Sequence, residues 1–177
     1  MNDNIIFSLV NSFRKRIDQA QKRNCFINSI LEDFPKQCCG FASRLLAEFL
    51  RENRVETLWI SSEEFETRET HAWLVVKDDR INAPRFCFED VPNSVMDLLN
   101  SYGCNNTECF SEATCYGEQD VENGLIIDIT GDQFGEVPVY VGYMDSFHKR
   151  FDFVSAHEHE GLFDRELIEL YEIIVSQ

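Results

Sequence analysis

Ile5, Ile6, Leu9, Val10, Phe13 and Ile17 recur at intervals of one, three and four residues, with Arg14, Lys15 and Asp18 between them. Side chains three and four apart share one helix face, so this spacing predicts an amphipathic helix. A short second helix is expected over residues 25–31, ending before Pro35, which disfavours helical backbone in the residue ahead of it. Phe41, Leu45, Leu46, Phe49 and Leu50 then return to the helical period and predict a helix over residues 39–52. Beyond it the pattern changes. VETLWI (55–60) and HAWLVV (71–76) are short, apolar runs that predict two strands, joined by the acidic loop SSEEFETRE.

Between residues 78 and 123 the periodicity weakens. Pro84, Pro92, Gly103, Gly117 and four cysteines (Cys87, Cys104, Cys109, Cys115) punctuate the stretch, with one short helix expected near 94–99. A loop this long in a compact domain is functional or carries its own structure, so it reads as an insertion lobe. Strands are expected next at 125–129, 137–141 and 151–154. Leu167, Ile168, Leu170, Tyr171 and Ile174 mark a closing helix over 162–175. Helices followed by a run of strands predict an α+β domain with an antiparallel sheet, spanning residues 1–177, rather than alternating βαβ units.

Composition adds limits. Apolar residues make up 44% of 177 residues, enough for a sizeable core. Lys and Arg number 16 against 32 Asp and Glu, a net charge of −16. Such a field repels phosphate backbones and anionic lipid, which argues against nucleic acid or a membrane surface as partner. The opening residues lack the basic and apolar regions of a signal peptide, and no window is apolar enough for a membrane span. With seven cysteines, an odd count, the expectation is a reducing, cytoplasmic setting with most thiols free.

Three residues carry candidate chemistry. Cys39 opens the predicted helix 39–52, where unsatisfied backbone N–H groups favour thiolate and can accept a developing oxyanion. The adjacent Cys38 competes for the same place. His71 opens the strand HAWLVV, held by the sheet ladder yet open on one side, a suitable station for a general base. Asp128 lies in GLIIDITGDQF among Leu125, Ile126, Ile127 and Ile129. A carboxylate so close to a core needs a partner, and an imidazole N–H is one that also fixes the ring's orientation. Each has a plainer reading: a buried thiol acting as a small hydrophobe, a surface histidine and a turn aspartate.

The segment FPKQCCGFASRLLAEFL, the tripeptide HAW and the D-x-T of Asp128, Ile129 and Thr130 resemble the transglutaminase-like superfamily of papain-like folds. The order Cys, His, Asp is the same. The longer match, FP-x-x-x-CG with HAWL and IIDITGDQF, is similar to small bacterial and phage proteins within that superfamily. The resemblance implies a papain/transglutaminase-like α+β fold, with a nucleophile helix packed on an antiparallel sheet. It implies Cys39 as nucleophile, His71 as base and acid, and Asp128 as orienting carboxylate. The separation of His71 from Asp128 exceeds the superfamily's usual spacing, and the insertion lobe accounts for the excess.

The activity expected is thiol-dependent hydrolysis or acyl transfer at an amide, as protease, deamidase or transglutaminase. The substrate would be a protein, peptide or small amide, and no cofactor is called for. The four lobe cysteines miss the tightest zinc spacing, and HEHE (157–160) reads as a solvated loop rather than a metal clip. Two rivals stand beside this reading. One is a non-catalytic acidic binding or inhibitory protein on the same fold, favoured by the −16 charge. The other is a redox sensor using Cys38 and Cys39 near Cys25.

Overall fold

The structure, a computed structural model, describes residues 2–77, 81 and 116–177. Helix α1 (Asp3–Lys22) and helix α2 (Cys39–Glu52) come first, then strands β1 (Thr57–Glu63) and β2 (Thr70–Val76). A single turn of helix, α3 (Glu118–Val121), precedes β3 (Ile126–Asp128), and β4 (Tyr140–Gly142), β5 (Asp152–Glu158) and α4 (Arg165–Val175) follow. Short 3₁₀ turns at Gly131–Phe134 and His148–Arg150 bracket β4. Among the described residues the sheet has five strands in the order β4-β3-β2-β1-β5, and every neighbouring pair is antiparallel. The expected α+β architecture is present. Among the described residues no helix is long and apolar enough to cross a membrane.

The sheet is covered on both faces. Leu74, Val76 and Ile127 point into a core shared with α1, α2 and α4, while Trp73, Val75 and Ile126 point into a second core with Phe147 and Phe151. A central strand apolar on both sides must read as a continuous run, which is why HAWLVV does not alternate. Helix α2 lies over β1 and β2. Its Ser43 hydroxyl donates to the buried Ala72 carbonyl over 3.1 Å, fixing the helix on β2 one residue from His71.

Several expectations change in detail. Residues 25–31 form successive turns and no helix, and Asn24 and Asn28 adopt left-handed φ values of 56° and 60°. Asn supports that conformation better than most residues, which breaks the helical run. Strand β1 continues through Ser61, Ser62 and Glu63, taken from the expected acidic loop, because their partners Ala72, His71 and Thr70 continue the ladder. His157 and Glu158 belong to β5 rather than a loop: His157 stacks on Trp59, and His159 pairs with Glu48. Arg14 is buried rather than solvated, although it belongs to an amphipathic helix. Most of the proposed lobe, with its four cysteines and the helix near 94–99, lies outside the described residues.

Candidate active site

Extending the β2–β3 register by one residue sets Asp128 opposite Trp73, so His71 and Asp128 form a diagonal pair on one sheet face. Asp128 Oδ2 accepts from His71 Nε2 at 2.9 Å, with 0% and 1% side-chain exposure for His71 and Asp128. The D-x-T tripeptide has a local cause. Asp128 Oδ1 accepts from the Thr130 backbone N–H at 2.8 Å and from its hydroxyl at 3.1 Å, closing an Asx-type turn that locks the carboxylate. A Cβ on Gly131 would come within 2.9 Å of the Val137 carbonyl and 3.3 Å of Asp128 Oδ2, so glycine permits this close approach.

The backbone around the pair is tied down from three sides. The Ser62 hydroxyl donates to the His71 carbonyl at 2.8 Å. Arg14 crosses from α1 to donate to the Ile129 carbonyl (2.6 Å), the Pro138 carbonyl (2.8 Å) and the Asp132 carboxylate (2.7 Å). Those bonds hold the turn that follows Asp128. Rings of Trp73, Phe134, Phe147 and Phe151 surround the imidazole with centroids 5.0 to 5.6 Å away.

Cys39 is the first residue of α2. Helix geometry leaves the first-turn N–H groups without intrahelical partners, and Cys38, at the N-cap, offers no side-chain cap. Gln37, just before it, has φ 58°, a left-handed turn that swings the chain into the helix. Cys39 shares a cleft with Thr70, His71 and Ala72 at the start of β2.

The electrostatics follow from these contacts. Burial is the largest influence on Cys39 and pushes its pKa up, but hydrogen bonding to His71 and that ring's charge outweigh it, leaving the thiol below its ordinary value. Burial likewise opposes charge on His71, and the bonds to Asp128 and Cys39 prevail, raising the imidazole to about 9. Asp128 is buried too, yet the nearby His148 imidazole and the hydrogen bond from His71 hold it well below the usual carboxylate range. Cys38 is the contrast. It is 1% exposed, and burial drives its thiol up to about 12. Of the two adjacent thiols, only Cys39 has an imidazole partner. Cys25, Cys38 and Cys39 are all free.

Three residues near the site escaped the sequence reading. Gln133 places its amide 3.4 Å from His71 Nδ1, the ring nitrogen left open by Asp128. His148 bonds Asp145 through Nδ1 at 2.7 Å and turns Nε2 toward Asp128 Oδ2 at 3.6 Å, beyond normal hydrogen-bond length. Arg14 is the third. The only hint for Arg14 was its position between Phe13 and Ile17; for His148 it was the aromatic residues beside it.

The thiol opens onto a cleft of about 330 Å³, whose walls include Gln37, Phe41, Arg44, Trp59 and His71. Comparison with protein-family models, curated proteins and solved structures finds no match for this chain.

Proposed function

We propose that this chain is a thiol-dependent hydrolase or acyl transferase acting on amide bonds, with a papain/transglutaminase-like fold. The observation that carries the reading is one connected unit: a helix-start thiol with a lowered pKa, an imidazole raised to about 9, and a buried carboxylate orienting that ring. A surface histidine or an inert core thiol needs none of these arrangements.

In the proposed reaction the Cys39 thiolate attacks the amide carbonyl and forms a C–S bond. First-turn N–H groups of α2 stabilise the oxyanion. As the tetrahedral intermediate collapses, the C–N bond breaks and His71 gives its proton to the departing amine. The thioester then accepts water: a C–O bond forms, one water proton returns to His71, and the C–S bond breaks to yield a carboxylic acid and the Cys39 thiolate. An amine in place of water gives a new amide instead. Asp128 keeps Nε2 engaged and leaves Nδ1 as the working nitrogen.

Iodoacetamide labelling at pH 6 with peptide mapping tests the first requirement. Cys39 should be alkylated far faster than Cys25 or Cys38. Incubation with dimethylcasein and a fluorescent primary amine, read by mass spectrometry, then separates cleavage, deamidation and amine incorporation. A Cys39 that reacts no faster than Cys25 would return the chain to the class of acidic binding proteins.

A further inference from the structure

The cleft beside Cys39 is chemically unlike the rest of the molecule. In a chain where acids outnumber bases 32 to 16, no Asp or Glu appears among its described lining residues. The polar cleft at the opposite end of α2, by comparison, is lined by Glu56 and Glu158 as well as Arg51 and Lys77. Arg44 stands in the wall of the Cys39 cleft, half-buried. Unlike Arg14, Arg51, Arg68, Arg150 and Arg165, it has no carboxylate partner among the described residues. Phe41, three residues earlier on the same helix face, is 39% exposed and lines the same cleft.

We infer that this cleft selects amide substrates bearing an anionic group, with Arg44 as the residue that receives it. The inference rests on the proposed thiol chemistry and names its substrate class. Arg44 stands five positions after Cys39 on α2, about 7.5 Å along the helix axis, and both line the one cleft. A substrate carboxylate a few bonds from the scissile carbonyl, as in an acidic side chain or a chain terminus, would lie in the same cleft as the thiol. A guanidinium can receive it with two parallel N–H donors. Phe41 and Trp59 supply apolar wall for the intervening chain. The net charge of −16 repels anions at long range, so local recognition has to overcome the protein's own field.

The test uses two alkylators of nearly equal size, N-iodoacetylglycine and its uncharged methylamide, at low ionic strength. Each forms a C–S bond with the Cys39 thiolate and releases iodide. In the parent protein the anionic reagent should label Cys39 about five-fold faster or more, the effect of one nearby charge in a partly screened site. Arg44→Gln should bring the ratio to one or below, and Arg44→Lys should restore part of it. Arg165→Gln removes the same charge at a distant, exposed position and should leave the ratio unchanged. A ratio identical in the parent and in Arg44→Gln overturns the inference while leaving the thiol reading intact. If the methylamide labels Cys39 no faster than Cys25, the thiol reading fails and this inference falls with it.

Discussion

The His71 imidazole and the Asp128 carboxylate meet over 2.9 Å with essentially no solvent around either side chain. This bond, with the Cys39 contact, holds His71 protonated to about pH 9, against an ordinary histidine value near 6.5. The proposed cycle needs that proton for the leaving amine. Amide turnover should therefore decline as pH rises through about 9, while thiolate reactivity persists into mildly acid solution because the Cys39 pKa is lowered. Asp128→Asn should move the alkaline limb down toward the ordinary histidine range. An alkaline limb already there in the parent would show that the carboxylate does not govern the ring.

The same shift has a sign in folding stability. A group whose folded pKa is raised contributes stability that is fully present below its unfolded value and is lost as pH rises through the folded one. For His71 the loss runs from about 6.5 to about 9. The lowered thiol of Cys39 contributes with the opposite sign over the same range, so the fall is read without it: urea midpoints of Cys39→Ala should decline as pH rises above about 6.5, and those of the Cys39→Ala/Asp128→Asn double variant should stay flatter. Parallel curves would mean that the pair is not coupled to folding.

The adjacent cysteines should separate cleanly on substitution. Cys39→Ala removes a half-buried first-turn group and should cost no more than about 1 kcal/mol while abolishing fast alkylation. Cys38 is 1% exposed within the α1–α2–α4 core, so Cys38→Ala should cost about 1–2 kcal/mol and keep the fast-reacting thiol. Urea unfolding and peptide mapping check both. Fast labelling lost only in Cys38→Ala would reverse the assignment.

Much of this was legible because local rules and tertiary outcome agree. The period of Phe41, Leu45, Leu46, Phe49 and Leu50 set α2 at 39–52, and HAWLVV marked a strand. Cys39, His71 and Asp128 could be singled out as candidates because each sits at the end of an element whose pattern is strong. The parts missed depend on contacts between distant segments. Arg14 looks solvated by helix spacing, and its burial follows from two carbonyls and a carboxylate more than a hundred residues away. Residues 25–31 have helical spacing, but left-handed Asn24 and Asn28 override it. Nothing in the order of residues says that the His148 ring turns toward Asp128.

Arg14 offers a stability test of the turn behind Asp128. Arg14→Met keeps much of the side-chain volume but leaves the Asp132 carboxylate without its guanidinium, together with two carbonyls. Asp132 retains 27% side-chain exposure, so water recovers part of the loss. The expected cost is about 2–4 kcal/mol in urea unfolding. Fast labelling of Cys39 should weaken too, since the turn positions the carboxylate that orients His71. A variant as stable as the parent would show that the Arg14 bonds merely replace equivalent bonds to water.

His148 separates a positioning role from a packing role. The ring is 1% exposed, its Nδ1 is bonded to Asp145, and its Nε2 sits 3.6 Å from the oxygen that accepts from His71. Asp128 Oδ2 is thus faced by two imidazoles, one bonded and one at 3.6 Å, and both help keep that carboxyl acidic. His148→Phe suits the site, which already holds Trp73, Tyr140 and Phe147. It preserves the packing while removing the donor, and Asp145 keeps its bond from the residue-148 backbone N–H. Without the competing imidazole the Asp128 carboxylate becomes more basic and serves His71 alone. The alkaline limb of turnover should therefore move upward from about 9, by a measurable fraction of a pH unit or more, with little change in near-ultraviolet circular dichroism. An unmoved limb with lowered stability would make His148 a packing residue only. A limb that moved down would mean that His148 supports the His71 imidazolium, and the competition described here would be wrong.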